Sequence, residues 1–124
     1  MKLEDIFGMD IKKGMKIVSN NKTIYVKLLR SFSENTLYQD LIEAVNEGDS
    51  IEMKAKVHAL KGVTANLSLM DLYEQVITVE NDMREFDIIR LDDEKMIELD
   101  TIYKKTMKSI ACIMEDPDIL DVLV

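Results

Sequence analysis

One segment of the chain combines residue types suited to phosphoryl chemistry. His58, Lys61 and Gly62 lie within the segment Val57–Leu67, whose hydrophobic pattern predicts a helix. A neutral imidazole can attack phosphorus, and an ammonium three residues further along a helix can balance the negative charge that arrives. A glycine four residues further along leaves bare backbone, which another protein can approach closely.

The helical spacing places these three residues on one side of the helix. At about 100° per residue, Lys61 and Gly62 share a face with His58, whereas the apolar seam of Val57 and Leu60 points roughly 120° away. We therefore expect His58 to be exposed on the shoulder of the helix. A glycine inside a helix costs about 1 kcal/mol relative to alanine, so something should compensate for Gly62.

Each of the three residues also has a plainer interpretation. A lone histidine on a helix is usually structural or simply exposed to solvent. Gly62 alone is also compatible with a close contact between two helices. Lys61 alone would be an ordinary surface lysine.

The rest of the chain predicts an all-α fold. Apolar residues recur near every 3.5 residues, which predicts helices at about 10–18, 22–46, 50–67, 69–86 and 92–114. Long helices with short connections favour an antiparallel up-down-up-down four-helix bundle, with the short additional N-terminal helix across one end. We expect a single domain over residues 1–124. The tail after Pro117 is not assigned.

The predicted buried positions follow the helical repeat. They are Ile11, Met15, Val18, Tyr25, Leu29, Phe32, Leu37, Leu41, Val45, Met53, Val57, Leu60, Thr64, Leu67, Leu69, Leu72, Val76, Val79, Met83, Phe86, Met96, Leu99, Tyr103, Ile110 and Ile113. Gly48 suits the left-handed position after a helix, and Asp49 or Ser50 can cap the next one. Ser68 is expected to cap the amide of Asp71.

Composition narrows the classes of function. The net charge is −8 and no run of Lys and Arg is present, which argues against nucleic-acid binding. The N-terminus lacks a signal-peptide pattern and no apolar stretch would span a bilayer, so we expect a cytoplasmic protein without a membrane partner. The single cysteine, Cys112, is expected to be buried and inert. One histidine and one cysteine cannot form the usual zinc site. The sequence also has no glycine-rich loop of the kind that binds phosphate, so nucleotide binding is not predicted.

The motif around His58 resembles the signature of histidine phosphotransfer domains. The matching residues are His58-Ala59-Leu60-Lys61-Gly62 followed by Asn66-Leu67. Phe7-Gly8-Met9-Asp10, the segment Ile24–Phe32 and the turn Glu47-Gly48-Asp49 are similar to other parts of that family's pattern, so that residues 5–112 can be aligned with it.

The resemblance implies a phosphoryl carrier in two-component signalling. His58 would be phosphorylated on its far ring nitrogen, Lys61 would stabilise the phosphoryl charge, and Gly62 would admit the receiver. The partners would be response-regulator receiver domains and a hybrid histidine kinase. The protein would have no cofactor of its own, because the receiver brings the Mg²⁺ and the phosphorylated aspartate. It would have no ATP-dependent kinase activity and would be a monomer.

The chain departs from the family pattern after the signature. The family often has a glycine where this chain has Ser68, and Leu69 stands at a position that is often small. Val63 and Thr64 are also bulkier than usual. We expect the turn to survive.

Two other functions remain open at this stage. The chain could be a helical scaffold or inhibitor that binds receivers without carrying phosphate. It could also be the phosphotransfer fragment of a chemotaxis-type kinase. The sequence does not identify the residues that select the partner, but Lys54 and Ala65 are candidates.

Overall fold

A computed structural model describes residues 6–123 and confirms that the protein is all-helical, with no strand among these residues. The elements are α1 (Ile11–Ile17), α2 (Lys22–Glu34), α3 (Leu37–Glu47), α4 (Ser50–Asn66), α5 (Met70–Phe86), α6 (Glu94–Glu115), a 3₁₀ turn (Pro117–Ile119) and α7 (Leu120–Leu123).

The helix predicted over 22–46 is two helices, which corrects the sequence-based expectation. Asn35 ends α2 in an extended conformation, and its side-chain oxygen accepts a hydrogen bond from the Leu37 amide at 3.1 Å. The Thr36 hydroxyl donates to Asp40 at 3.0 Å. Because such local side-chain bonds compete with the helical ones, the chain breaks here.

The break changes which residues of α3 enter the core. Leu37, predicted to be buried, is only half-buried, and Tyr38 takes the interior position. The Tyr38 ring stacks on Tyr103 with 3.8 Å between ring centroids, and its hydroxyl donates to Asp100 at 2.6 Å. Because the helix breaks before Tyr38, this tyrosine connects α3 to α6 by stacking on Tyr103.

The helices pack around one hydrophobic core. α4 packs against α3 and α5, α5 also packs against α6, and α6 packs against α2, while α1 contacts α2 and α7. The predicted seams of α4 and α6 are confirmed as buried. In α5 the prediction for Phe86 is wrong: α5 ends there, 62% of Phe86 is exposed, and Ile89 is buried instead.

The turn between α4 and α5 differs from the expected cap. The Ser68 hydroxyl is buried and has no hydrogen-bond partner among the described residues. The Asp71 amide, which Ser68 was expected to cap, donates instead to the Gly8 carbonyl at 3.1 Å. The Ser68 carbonyl accepts from the Asp10 amide at 2.9 Å. Ser68 has a φ of 56°, a left-handed conformation that glycine adopts more easily.

The tail after Pro117 folds back onto the bundle. Ile119 and Leu120 are buried, and the Lys22 ammonium lies 2.7 Å from Asp118 and 3.1 Å from Asp121. Cys112, expected to be buried, is half-buried. Within residues 6–123, no helix has the length and apolar character needed to cross a membrane.

Candidate functional site

Helix α4 carries all three predicted site residues. The helix begins after Gly48, which adopts the left-handed φ of 70°, and the Asp49 carboxylate caps it by accepting from the Glu52 amide at 3.1 Å. Both features agree with the sequence-based prediction. Because Val57 and Leu60 are held in the core on the opposite side, the helix has a fixed rotation and presents His58 outward.

His58 is exposed on the surface of α4. Its ring forms no hydrogen bond or ion pair with any residue between 6 and 122. It lines a groove of about 210 Å³ between α4 and α5, whose walls are Lys54, Val57, His58, Glu80, Met83 and Arg84. An imidazole in this position can accept an electrophile from another molecule without first breaking an internal contact.

Lys61 lies one turn beyond His58 but is not a free cation. Its ammonium is 3.1 Å from the Glu80 carboxylate of α5, and the Arg84 guanidinium lies 3.1 Å from the same carboxylate oxygen. The Glu80 side chain is only 16% exposed, so this acid is held between the two cations. Lys61, Glu80 and Arg84 therefore form a charge cluster of two cations and one anion beside His58, and Glu80 and Arg84 also line the groove.

The sequence did not identify Glu80 and Arg84 as part of this site. Their spacing of four residues signals an ion pair on one face of α5. It does not say which helix that face meets, and the pairing of α5 with α4 decides this.

Gly62 is exposed, and its missing side chain is not explained by packing. A Cβ atom added there would meet no atom of residues 6–122 within 4 Å, so none of the described helices requires a glycine at this position. Gly14 provides the contrast, because a Cβ atom there would lie 2.7 Å from the Tyr25 hydroxyl. The alternative that Gly62 serves a close helix contact is therefore excluded.

The surface around His58 combines an ion pair with exposed apolar side chains. Lys54 pairs with Asp87 at the end of α5, and this contact holds the pKa of the Asp87 carboxyl below its usual range. Ile51 is 82% exposed. It precedes His58 by seven residues, nearly two helical turns, and so lies on the same side of α4, about 10 Å away along the axis. Ala65, the other proposed selectivity residue, is half-buried.

The described residues contain no group of three His, Cys, Asp or Glu side chains placed to hold a metal ion. A scan against protein-family models, a search of curated proteins and a search of solved structures each found no match to this chain.

Proposed function

We propose that this protein is a histidine-containing phosphotransfer protein, which relays a phosphoryl group between receiver-domain aspartates through a phosphohistidine at His58. One observation carries the proposal: within the part of the chain that the structure describes, an exposed histidine without a bonding partner lies one turn from a helix-interior glycine that no contact requires. A glycine is unfavourable inside a helix. A docking partner that must approach the backbone of α4 closely would explain why Gly62 stands here.

The proposed reaction is a reversible transfer between an aspartyl phosphate and the imidazole. The unprotonated ring nitrogen attacks phosphorus, a P–N bond forms, and the P–O bond to the receiver aspartate breaks, which returns its electron pair to the carboxylate. The reverse steps pass the group to a second receiver. Positioning and charge stabilisation catalyse such transfers, with Lys61 as the stabilising cation and Mg²⁺ on the receiver.

The ion pair between Lys61 and Glu80 must loosen before Lys61 can stabilise a phosphoryl group on His58. The phosphoryl group on His58 would compete with Glu80 for the Lys61 ammonium. Arg84 already contacts Glu80 at the same distance of 3.1 Å, so it can hold the carboxylate when Lys61 turns toward the phosphoryl group. In this proposal Lys61 exchanges the Glu80 carboxylate for the phosphoryl group on His58.

We propose the antiparallel up-down-up-down arrangement as the topology that supports this site. Two contacts between α4 and α5 favour it. Lys61 meets Glu80, and Lys54 meets Asp87, so moving seven residues back along α4 moves seven residues forward along α5. The two helices then present one continuous surface around His58.

The partners in this proposal are response-regulator receivers and a hybrid histidine kinase. A receiver would cover the α4–α5 surface, where the exposed apolar side chain of Ile51 supplies area for docking. Ile51 lies on the same side of α4 as His58. The proposal includes a monomeric protein in the cytoplasm.

The decisive experiment is phosphotransfer from a receiver whose aspartate carries radiolabelled phosphate. We expect label on the wild-type protein as an acid-labile, base-stable adduct, and none on His58→Gln. Glu52→Gln is the matched control, because Glu52 is exposed on the same helix but lies about 120° around its axis from His58, and this variant should accept label. Label persisting on His58→Gln would refute the site. A receiver that binds tightly without labelling His58 would instead indicate a receiver-binding scaffold.

A further inference from the structure

The basic residues of this acidic protein are concentrated in α1 and α2. Residues 11–33 contain six Lys or Arg and no Asp or Glu, although the whole chain has a net charge of −8. The six are Lys12, Lys13, Lys16, Lys22, Lys27 and Arg30. They are dispersed in sequence, so they form no run, but the two helices that carry them pack against each other.

The cations of α2 are available to a partner. Lys27 and Arg30 are exposed and form no ion pair with any residue between 6 and 122. Lys22 is the exception, since it binds Asp118 and Asp121. At spacings of four and three residues, Thr23, Lys27 and Arg30 form one polar stripe along α2.

An apolar stripe lies beside this cationic one. Ile24 is 45% exposed and Leu28 is 42% exposed, one turn apart on α2. Ile17, at the end of α1, is 52% exposed. A recess of about 380 Å³ adjoins the stripes and is lined by Lys22, Thr23, Val26, Lys27, Arg30 and Pro117. The surface thus combines exposed aliphatic side chains with a recess that is lined in part by cations.

We propose that the α1–α2 surface docks onto an anionic lipid bilayer, which departs from the sequence-based expectation of no membrane partner. Cations attract the negative surface of such a bilayer, and aliphatic side chains among them enter the boundary between headgroups and acyl chains. The recess fits a lipid headgroup whose phosphate faces Lys27 and Arg30. Nucleic acid is less suited to this surface, because the two aromatic residues of α2, Tyr25 and Phe32, are buried and cannot stack on bases.

This surface is separate from the candidate phosphotransfer site. The groove at His58 is formed by α4 and α5, whereas α2 packs against α6 and α1. A bilayer could therefore hold the protein while His58 stays open to a partner. The inference does not depend on the proposed function, and its test uses no phosphotransfer.

The test is co-sedimentation of the full chain with vesicles of phosphatidylcholine alone and of phosphatidylcholine mixed with phosphatidylserine. We expect binding to the mixed vesicles only, and its loss as salt is added. The double variant Lys27→Glu/Arg30→Glu should bind about thirty-fold more weakly or worse, which corresponds to about 2 kcal/mol. The matched control, Lys104→Glu/Lys108→Glu on α6, changes the net charge equally and should retain binding.

A second variant separates a bilayer from an acidic protein as the partner. Ile24→Ser/Leu28→Ser keeps every cation and should weaken vesicle binding about tenfold, because buried aliphatic area contributes to interfacial binding. No binding to the mixed vesicles would overturn the proposal, as would binding that both double variants of α2 leave unchanged. Soluble polyglutamate that binds as well as vesicles, with no effect of Ile24→Ser/Leu28→Ser, would point to an acidic protein and also overturn it.

Discussion

The Lys61 ammonium lies 3.1 Å from the Glu80 carboxylate, so the cation beside His58 is ion-paired within the protein itself. Glu80 is mostly buried and also contacts Arg84. This relationship matters for the proposed carrier because a phosphoryl group on His58 would enter a groove that already contains a negative charge. The acid both positions Lys61 and opposes the incoming group, and substitution can separate these two effects.

Removing the charge of Glu80 should favour the phosphorylated state. In Glu80→Gln the amide keeps the shape of the side chain, while Lys61 and Arg84 lose their anionic partner and can turn to the phosphoryl group. Since a partly exposed ion pair is worth about 0.2–1 kcal/mol, the equilibrium ratio of phosphorylated to free protein should rise by up to about five-fold. The ratio can be measured after equilibration with a phosphorylated receiver.

Glu85→Gln is the control for this experiment. Glu85 is exposed on the same helix and does not line the His58 groove, so this substitution should leave the ratio unchanged. A lower ratio in Glu80→Gln would show that Glu80 assists the transfer and would contradict the exchange of partners proposed for Lys61.

Substituting Gly62 by alanine should change stability and phosphotransfer in opposite directions. A methyl group there meets no atom within 4 Å, so the free protein should gain up to about 1 kcal/mol in its free energy of unfolding. The same methyl group would stand between α4 and a docked receiver and should slow phosphotransfer. Urea unfolding measures the first effect, and the rate of receiver dephosphorylation measures the second.

Gly14→Ala tests the packing side of the same argument. Its methyl group would overlap the Tyr25 ring, so this variant should lose about 1–3 kcal/mol of stability. If Gly62→Ala were both more stable and fully active in transfer, the idea that Gly62 admits a partner would be wrong.

Replacing Ser68 should increase the free energy of unfolding. It combines a left-handed φ of 56° with a buried hydroxyl that lacks a partner among the described residues. Ser68→Gly removes both penalties and should raise the free energy of unfolding by about 1–2 kcal/mol. Ser68→Ala removes only the unpaired hydroxyl and should gain less. Urea midpoints that place alanine at or above glycine would contradict the role of backbone strain.

The Tyr38–Asp100 hydrogen bond should make stability depend on acid pH. Contacts with Lys104 and then Tyr38 lower the pKa of Asp100. A carboxyl with a lowered folded-state pKa stabilises the fold above its unfolded-state pKa, and this contribution is lost as pH falls through the folded-state value. Tyr38→Phe should therefore cost about 0.5–1 kcal/mol at neutral pH, after allowance for solvent screening, and less in acid.

Thermal unfolding at several pH values measures this effect. Tyr73→Phe is the control, because the Tyr73 hydroxyl forms no hydrogen bond with a residue between 6 and 122. It should show no such dependence on pH. An equal loss of stability in Tyr38→Phe at neutral and acid pH would mean that the ionised Asp100 carboxylate contributes nothing to the bond.

The sequence by itself determined the helical class, the helices α1, α4, α5 and α6, and most of the core. The apolar periodicity of α4 and α6 identified buried seams because a helix that packs on one side must repeat apolar residues near every 3.6 positions. The same periodicity placed His58 on an exposed shoulder. Gly48 and Asp49 marked the start of α4, since left-handed backbone and a side-chain cap are local requirements.

Only the tertiary structure decided which side chains meet. The break at Asn35 and Thr36 rests on local hydrogen bonds, but packing against α6 places Tyr38 rather than Leu37 in the core. Glu80 joined the site because α5 packs beside α4, which no spacing within α5 reveals. Helical repeats fix the direction of a side chain around its own axis. The residue that a side chain meets on a neighbouring helix depends on how the two helix axes pack, and the packing of the whole core determines this.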